Sequence, residues 1–528
     1  MPEATAAPAP PAATAVTAPP ADGAGAVETA LREHPAVRDA RVAGGIAWVE
    51  PGRALAASAA EQAAHLERWR TLWSDTWQRS LTEAAAGGSP PIARGMPPEA
   101  AAGGSEAPEN LAGWISSYTG KPIAEREMRE WLQATVERVV ELAPRRLLEI
   151  GCGTGLLLAR LAPGCAACWG SDFSAAALDC ARRALAGREP PVTLLRRTAD
   201  DLAGLPERFF DTVVLNSIVQ YFPDLAYLGR VLAGVLRAAA PGARIFVGDV
   251  RSLPLLAAFH ASVLLAQADG ATPLSELREQ LAARLARERE LLVDPAFFTA
   301  LAHAQPAIAA ATAQLKRGRA RNELTRFRYD VVLQAAGGAP PPTPPARWLD
   351  WRQERLTPLA LRRLLATGSP AALGVAGVPN ARTAGAVRAL ALLRGGAGGA
   401  ETVAGLQDAL ERDRAAGASG IEPEDLWAVE RDLPYSVELR LGRSGPAELD
   451  AVLRRRGEEA GGSRQPGPGE EADAVPANQP CRPLWAEELE ADLRRYLAAR
   501  LPAAELPLGV MVVAAIASPA ARHAETVR

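Results

Sequence analysis

The sequence predicts an α/β fold in which helices cover a mostly parallel sheet. Between residues 109 and 337, apolar strand-like runs alternate with helical runs, which is the pattern of crossover units. The first of these strands leads through Gly151-x-Gly153-x-Gly155 into a helix, and acidic residues follow the next two strands. This order is typical of open sheets that bind a ligand at their carboxyl edge.

Seven segments are predicted as strands because they are short, apolar and bounded by turn residues. In chain order they are RRLLEI, ACWGSD, VTLLRR, FDTVVLN and ARIFVGD, followed after a longer helical insert by a closing pair near AIAAATAQL and FRYDVVLQ.

The chain on either side of this core alternates short structured pieces with Ala-, Pro- and Gly-rich segments that cannot bury enough apolar surface to fold. Gly44-Gly45, between two apolar alternations, predicts a hairpin near 37–50. The predicted divisions are a disordered tail over 1–25, a helix–hairpin–helix piece over 26–85, a linker over 86–108, the sheet domain over 109–337, a proline-rich linker over 338–346, a mostly helical accessory region over 347–460 ending in the strand YSVELRLG, a linker over 461–482, a helix and strand over 483–518, and a tail over 519–528.

The composition restricts the class of protein. Lys+Arg 58 against Asp+Glu 61 gives a net charge of −3, which excludes a strongly basic nucleic-acid binder and disfavours an acidic membrane as partner. No run of about 18 apolar residues occurs, and no basic residue precedes Arg32. We therefore expect neither a membrane span nor a signal peptide, and a cytoplasmic location.

The cysteines predict neither disulfides nor a metal site. Five cysteines in 528 residues are too few for a disulfide framework. Cys165 and Cys168 form a CxxC pair, but no second pair follows at a spacing that would complete a zinc site.

The glycine loop predicts a nucleoside ligand. Glycines let the backbone approach a ligand closely, and the helix that follows presents unpaired N–H groups. A dinucleotide-binding loop would place its third glycine at position 156, where this chain has Leu156. The departure favours a nucleoside without a pyrophosphate.

Two acids follow the second and third strands. Asp172 lies 21 residues after Gly151, close to the spacing at which a carboxylate meets ribose hydroxyls. After the third strand comes Ala199-Asp200-Asp201, where an acid can accept a proton from an adenine amino group.

The glycine loop and the two acids together resemble the class I S-adenosylmethionine-dependent methyltransferase family over roughly residues 110–335. The resemblance implies a Rossmann-like seven-stranded sheet and S-adenosylmethionine as the cofactor. Its implied contacts are Tyr118, Glu149, Gly151, Gly153, Gly155, Asp172, Ala199, Asp200 and Asn216.

Three further segments, GWISSYTGKPIAEREMREWL, VVLNSIVQYFPDLAYL and IFVGDVRSLP, resemble the methyltransferase domains embedded in nonribosomal peptide synthetases. Most of those domains methylate the amine of an aminoacyl group held as a carrier-protein thioester. The implied partners are a carrier protein with a phosphopantetheine thioester and other synthetase modules.

The flanks extend this resemblance. VETALREHPAVRDARV and WAEELEADLRRYLAARLP with LGVMVVAAIA resemble pieces of the small C-terminal part of an adenylation domain, where such methyltransferases are inserted. We therefore predict that Val510–Ile516 pairs with the hairpin at 37–50 and that helices from both flanks cover one face of the small α+β unit. The long separation of the two flanks along the chain does not prevent this pairing, since the entropic cost of closing a loop rises only with the logarithm of its length.

Some features depart from a full adenylation domain. No large adenylation core precedes Val27 in this sequence, and no lysine follows Lys316. We therefore expect that the chain does not activate amino acids. It is expected to be either a free-standing enzyme acting in trans or the product of a split or decayed synthetase gene. The basic stretch over 316–328 is either a solvated hairpin or a dock for an acidic carrier protein.

Methyl transfer needs alignment of donor and acceptor, and an amine must first lose a proton. Candidate residues at the carboxyl edge are Asn216, Gln220, Tyr221, Asp249 and His260. His260 could instead be structural, and Asp249 could pair with Arg251. The sequence does not distinguish a nitrogen acceptor from carbon or oxygen. An inactive docking remnant is the third hypothesis, which the intact glycines and acids disfavour.

Overall fold

The computed structural model of the chain describes residues 21–43, 45–53, 55, 57–85, 114–341, 344–395, 400–416, 420–457, 475–482, 484–513 and 516. The strands are β1 Val37–Ala43, β2 Ile46–Pro51, β3 Arg146–Ile150, β4 Ala167–Asp172, β5 Val192–Arg196, β6 Phe210–Asn216, β7 Ala239–Arg251, β8 Ile308–Leu315, β9 Arg328–Ala335, β10 Trp348–Asp350, β11 Ala372–Pro379, β12 Tyr435–Leu441, β13 Glu448–Arg455 and β14 Gly509–Val512.

The helices are α1 Ala21–Arg32, α2 Ala59–Ala85, α3 Glu125–Val140, α4 Leu158–Leu161, α5 Ala175–Ala184, α6 Leu225–Ala238, α7 Leu256–Gln267, α8 Leu274–Ala286, α9 Pro295–Ala304, α10 Glu323–Phe327, α11 Pro358–Gly368, α12 Ala384–Gly395, α13 Val403–Ala415, α14 Pro423–Trp427, α15 Val429–Asp432 and α16 Leu484–Ala498. Within the described ranges, none of these helices is long and apolar enough to cross a membrane.

The central sheet has seven strands in the order β5-β4-β3-β6-β7-β9-β8. Neighbouring strands from β5 to β7 are parallel, whereas β9 runs antiparallel to both β7 and β8. The seven-stranded class I sheet is thus confirmed. Its inner strands are apolar runs because helices cover both faces, and the parallel strands bring their carboxyl ends to one edge.

Side-chain caps fix where two of the covering helices begin. Ser174 accepts a hydrogen bond from the Ala177 N–H at the start of α5, and Asp224 does the same for the Tyr227 N–H at the start of α6. Both caps lie in loops that follow strands of the central sheet, so the helices start directly beneath its carboxyl edge.

The two flanks of the chain meet in one small sheet, of order β1-β2-β14. β1 and β2 form the predicted hairpin, and β14 pairs with β2 in parallel, with Val510 opposite Ala47. The strand pairing predicted between the flanks is therefore confirmed. That this unit resembles part of an adenylation domain stays a prediction.

Both faces of the small sheet are covered. Val27 and Leu31 of α1 pack with Leu493 of α16 on one face, as predicted. The opposite face, through Trp48 and Met511, belongs to the core formed by α7, α8 and α12. The sheet is thus packed against the helical insert of the central domain.

The accessory region contains more sheet than we predicted. Its strands form a sheet of order β10-β11-β13-β12, of which the sequence predicted only β12. β10 has only three residues, which is too short for an alternating pattern to be visible. On β11, Gly374 packs directly against the Trp348 ring, where a larger residue would not fit.

The basic stretch over 316–328 joins this accessory sheet region to the central domain. Three of its arginines pair with acids of the accessory region, and Lys316 and Arg328 pair with Asp249. The accessory pairs are Arg317 with Glu424 and Glu430, Arg319 with Asp425, and Arg321 with Glu422. The side chains of Arg319 and Arg321 are 58% and 62% exposed, so the solvated stretch and the dock for a carrier protein both stay predictions.

Two predicted irregular segments contain ordered structure. α1 begins at Ala21, inside the segment expected to be disordered, because Val27 and Leu31 anchor the helix on the small sheet. Residues 475–482, inside a predicted linker, are packed: Asn478 accepts from the Leu292 N–H and donates to the Glu290 carbonyl. The predicted segments 1–20, 86–108, 461–474 and 519–528 lie outside the described residues.

Candidate active site

A cavity of about 610 Å³ lies at the carboxyl edge of the central sheet. One part is formed by the loops after β3, β4, β5 and β6, the other by α7, α10 and the loop between α8 and α9. Residues of the first part include Glu149, Gly151, Gly153, Asp172, Thr198, Ala199 and Asn216, and those of the second include Phe259, His260, Glu288, Glu290 and Phe327.

The glycine loop follows β3, and its three glycines have φ values of +74°, +52° and +80°. These left-handed conformations favour glycine. A Cβ at Gly151 would lie 2.4 Å from Cγ2 of Ile218, and one at Gly155 would lie 3.2 Å from Cβ of Ala181 on α5. Gly151 and Gly153 line the cavity. Gly155, predicted as a ligand contact, instead lets the loop pack against α5.

Two buried carboxylates line the first part of the cavity. Asp172 accepts hydrogen bonds from the Gly153 N–H (3.0 Å) and the Ser174 N–H (2.8 Å), so it ties the loop after β3 to the loop after β4. Burial raises the pKa of Asp172. Burial and the Asp172 charge raise the pKa of Glu149 well above its ordinary value, and Glu149 Oε2 has no hydrogen-bond partner among the described residues.

Two predicted cofactor contacts have hydrogen-bond partners within the chain. Asp200 is exposed and accepts a hydrogen bond from the Tyr227 hydroxyl at 2.8 Å, while its neighbours Thr198 and Ala199 line the cavity. The Tyr118 hydroxyl lies 2.6 Å from Ser262 Oγ on α7 and accepts from Arg326 at 3.1 Å. Neither Tyr118 nor Asp200 lines the cavity, although Tyr227, the partner of Asp200, does, so their contact with a cofactor stays a prediction.

In place of Tyr118, the adjoining residues Trp114, Ile115 and Ser117 line the cavity. The segment around Tyr118 therefore reaches the cavity, with other side chains. Ser117 is held there by Glu323 of α10, which accepts from both its N–H and its hydroxyl.

Asp249 is a buried ion-pair centre, contrary to its prediction as a base. Its side chain is 0% exposed, Lys316 Nζ lies 3.2 Å away and Arg328 donates at 2.8 Å. Although burial alone would raise the pKa of Asp249, Lys316 and Arg328 lower it to about 2. A carboxylate with these partners, outside the cavity lining, is a poor proton acceptor. The pairing with Arg251 that we considered is not formed.

Asn216, Gln220 and Tyr221 line the cavity together, as predicted. Asn216 ends β6, and the other two lie in the single turn that follows. Burial raises the pKa of Tyr221, so its hydroxyl stays protonated and can donate. Its ring lies against Trp69 and Trp73, with centroid distances of 4.7 and 5.6 Å.

His260 lines the cavity and faces a carboxylate. Its Nε2 lies 3.1 Å from Oε2 of Glu288, whose other oxygen is 3.0 Å from Arg251. Burial alone would raise the pKa of Glu288, but Arg251 and His260 hold it below its usual range. An ionised Glu288 can accept a hydrogen bond from the imidazole and so orient His260 in the cavity.

The cavity has a wall that sequence reasoning missed, formed by Trp69, Trp73 and Trp77 of α2. We assigned α2 to the N-terminal piece, but it packs on the central domain, where His65 Nε2 lies 3.2 Å from the Tyr221 carbonyl oxygen. Aromatic residues at intervals of four mark one face of a helix, and this spacing is the signal that could have identified the wall.

The packing of α2 is expected to weaken in acid. Burial lowers the pKa of His65 to about 4 from an ordinary 6.5. Between these two pH values His65 is therefore protonated in the unfolded chain and neutral in the folded chain. Stability is therefore fully present above pH 6.5 and falls as the pH drops from about 6.5 towards 4. Tryptophan fluorescence between pH 7.5 and 4.5 should shift at lower pH in His65→Gln than in the parent. His34→Gln is the control, because His34 contacts Asp492 and not the cavity wall. Identical transitions in parent and His65→Gln would contradict the expectation.

A family model described as a methyltransferase domain matches residues 148–245, which include the glycine loop and Asp172. The chain is 39% identical over 511 residues to chondramide synthase cmdD of Chondromyces crocatus, covering 91% of this chain and 12% of that protein. It is 30% identical over 413 residues to the nonribosomal peptide synthetase asqK of Emericella nidulans, covering 75% and 16%. The chain therefore spans less than a fifth of the length of these relatives.

Among solved structures, the chain is similar to the N-methyltransferase NodS of Bradyrhizobium japonicum. The two are 16% identical, the match covers 39% of this chain and 97% of that one, and the TM-score is 0.26.

Proposed function

We propose that this chain, which carries an S-adenosylmethionine-dependent methyltransferase domain and resembles the methyltransferase domains of nonribosomal peptide synthetases, methylates the amine of an aminoacyl or peptidyl thioester on a carrier protein. The observation that carries the proposal is the second part of the cavity. It adjoins the glycine loop and contains His260 paired with Glu288 at 3.1 Å, a proton acceptor for an incoming ammonium group.

The residues of the first part fit S-adenosylmethionine. Gly151 and Gly153 bring backbone to the cavity lining, and Asp172 can accept from ribose hydroxyls with the lone pairs its backbone partners do not use. Glu149 is a second carboxyl group beside it, and its Oε2 has no hydrogen-bond partner among the described residues. When bound, the cofactor supplies an electrophilic methyl group whose bond to the sulfonium breaks with the electron pair going to sulfur.

The acceptor amine would occupy the second part of the cavity. An aminoacyl group arrives as an ammonium ion, and His260 takes one proton so that the nitrogen lone pair becomes available. Glu288 then stabilises the imidazolium that forms. Trp69 and Trp73 exclude water from the side of α2, which strengthens these interactions.

The proposal predicts that a carrier-bound amino acid is a better substrate than the free one. Contacts with the phosphopantetheine arm and the carrier would hold the amine in place, so we expect methylation to be about tenfold faster or more at equal concentration. The protein is incubated with labelled S-adenosylmethionine and a panel of aminoacyl carrier proteins or the matching free amino acids, and products are identified by mass.

His260→Ala serves as the variant that should lose transfer while retaining cofactor binding. Equal rates with free and carrier-bound amino acids would contradict the carrier requirement. If the products were methylated on carbon or oxygen, the acceptor atom would be carbon or oxygen and not the amine nitrogen. If no acceptor gave a methylated product, an inactive docking role would be favoured.

A further inference from the structure

An asparagine outside the cavity lining holds the loop that carries Glu288. This loop, residues 287–294 between α8 and α9, contributes Glu288 and Glu290 to the second part of the cavity. Asn478 is 2% exposed and lies beside the loop. Its Oδ1 accepts from the Leu292 N–H at 2.8 Å, and its Nδ2 donates to the Glu290 carbonyl at 2.9 Å. Both halves of one amide group are therefore used on the same stretch of backbone.

The amide group suits this position because it carries a donor and an acceptor side by side. The N–H of Leu291, between the two backbone groups that Asn478 holds, donates instead to the carbonyl of Gln220 at 2.8 Å. Gln220 lines the cavity, so this stretch of the loop is fixed between Asn478 and the turn after β6. An aspartate at position 478 would lack the donor, and an alanine would lack both groups.

The segment that carries this asparagine, residues 475–482, is itself anchored. It runs antiparallel to the loop through the bridge between Val293 and Ala477. At its other end Arg482, whose side chain is 1% exposed, forms an ion pair with Glu490 of α16 at 2.6 Å. A side chain on a segment held in this way can keep the loop backbone in one place.

The loop backbone in turn fixes the carboxylate of Glu288. Its Oε1 accepts from the Glu290 N–H at 3.0 Å, and Arg251 bridges the Glu288 and Glu290 carboxylates at 3.0 and 2.8 Å. The other oxygen, Oε2, lies 3.1 Å from Nε2 of His260. A continuous set of hydrogen bonds thus connects Asn478 to the imidazole.

We infer that Asn478 is a positioning residue for methyl transfer, which holds the loop backbone so that Glu288 orients His260 towards the acceptor. The inference rests on the proposed function, in which His260 takes the proton. Removing the amide leaves the Leu292 N–H and the Glu290 carbonyl without these partners, so the loop relaxes. Proton transfer needs hydrogen-bond reach, and a displacement of about 1 Å can lower a rate about a hundredfold.

The first measurement does not depend on activity. NMR of the protein with isotope-labelled histidine reports the hydrogen bonding of His260, whose signal is assigned with His260→Gln. We expect Asn478→Ala to move this signal towards its position in Glu288→Gln. Gln479→Ala is the matched control and should leave the signal in place. Gln479 is a buried amide on the same segment, and its described hydrogen bond is to the Cys481 carbonyl.

The second measurement is the rate of methyl transfer to a carrier-bound amine. We expect Asn478→Ala to lower kcat about tenfold while KM stays within about twofold. In a Glu288→Gln background the same change should lower kcat by about twofold or less, because the contact through which Asn478 acts is already lost. Asn478→Asp keeps the acceptor for the Leu292 N–H and should fall between the parent and the alanine variant.

Calorimetric binding of S-adenosylhomocysteine reports on folding and should be unchanged in these variants. If Asn478→Ala does not bind it, Asn478→Asp takes its place in both measurements. An unmoved His260 signal in a variant that binds S-adenosylhomocysteine like the parent would overturn the inference, as would an undiminished loss of kcat in the Glu288→Gln background. A parent protein that methylates no amine would overturn the proposed function, and the His260 signal would still decide whether Asn478 positions the imidazole.

Discussion

Replacing Asp249 by alanine is expected to lower the free energy of unfolding by about 3–5 kcal/mol, because it leaves buried cations without their counter-charge. Arg328 would lose its ion pair with Asp249, and Lys316 would keep only Asp330, at 2.9 Å. Urea unfolding followed by tryptophan fluorescence measures the loss. The pKa of Asp249 is about 2 against an ordinary 3.8, so the contribution is fully present above about pH 4 and declines as the pH falls towards 2.

The matched control is Asp179→Ala, which removes an exposed ion pair with Arg182 on α5. Exposed pairs of this type contribute about 0.5 kcal/mol or less. If Asp249→Ala unfolded at the same urea concentration as the parent but lost methyl transfer, the structural role given to Asp249 would be contradicted. Asp249 would then again be a candidate proton acceptor.

Replacing Asp172 by alanine is expected to weaken cofactor binding by roughly ten- to a hundredfold or more. A hydrogen bond to a charged group contributes about 1.5–3 kcal/mol, and each 1.4 kcal/mol is a factor of ten in affinity. The change also frees the Gly153 and Ser174 N–H groups that Asp172 holds. Calorimetry with S-adenosylhomocysteine measures the effect directly.

Two variants make this result specific. Asp201→Ala removes an exposed acid that does not line the cavity and should bind the cofactor like the parent. Asp172→Asn keeps one carbonyl acceptor and should fall between the parent and the alanine variant. Parent-like affinity in Asp172→Ala would remove Asp172 from the cofactor site.

The location of the cavity was predictable because the residues that follow a strand can be identified from the neighbouring sequence alone. A strand followed by glycines and a helix places Gly151 and Asp172 at one edge of any parallel sheet, and both line the cavity. Asp200 was predicted by the same reasoning and Tyr118 from the family resemblance, and neither lines it. The difference is that Tyr118 turns towards Ser262 and Asp200 towards Tyr227, partners 144 and 27 residues away in the chain.

By itself, the sequence determined the succession of helices and strands in the central domain and the hairpin, since periodicity and turn residues act over short distances. The strand pairing of the two flanks was predicted from their resemblance to consecutive pieces of one small unit. Only the tertiary structure decided which charges pair and which helix forms the cavity wall. The sequence shows Asp249 only as an acid near the end of a strand, whereas the folded chain brings Lys316, after β8, and Arg328, at the start of β9, to it. The sequence shows α2 only as a flanking helix, whereas in the folded chain its Trp69 and Trp73 contact Tyr221. Burial and ion pairing depend on groups distant in sequence, and the energies that decide them exist only once the chain is packed.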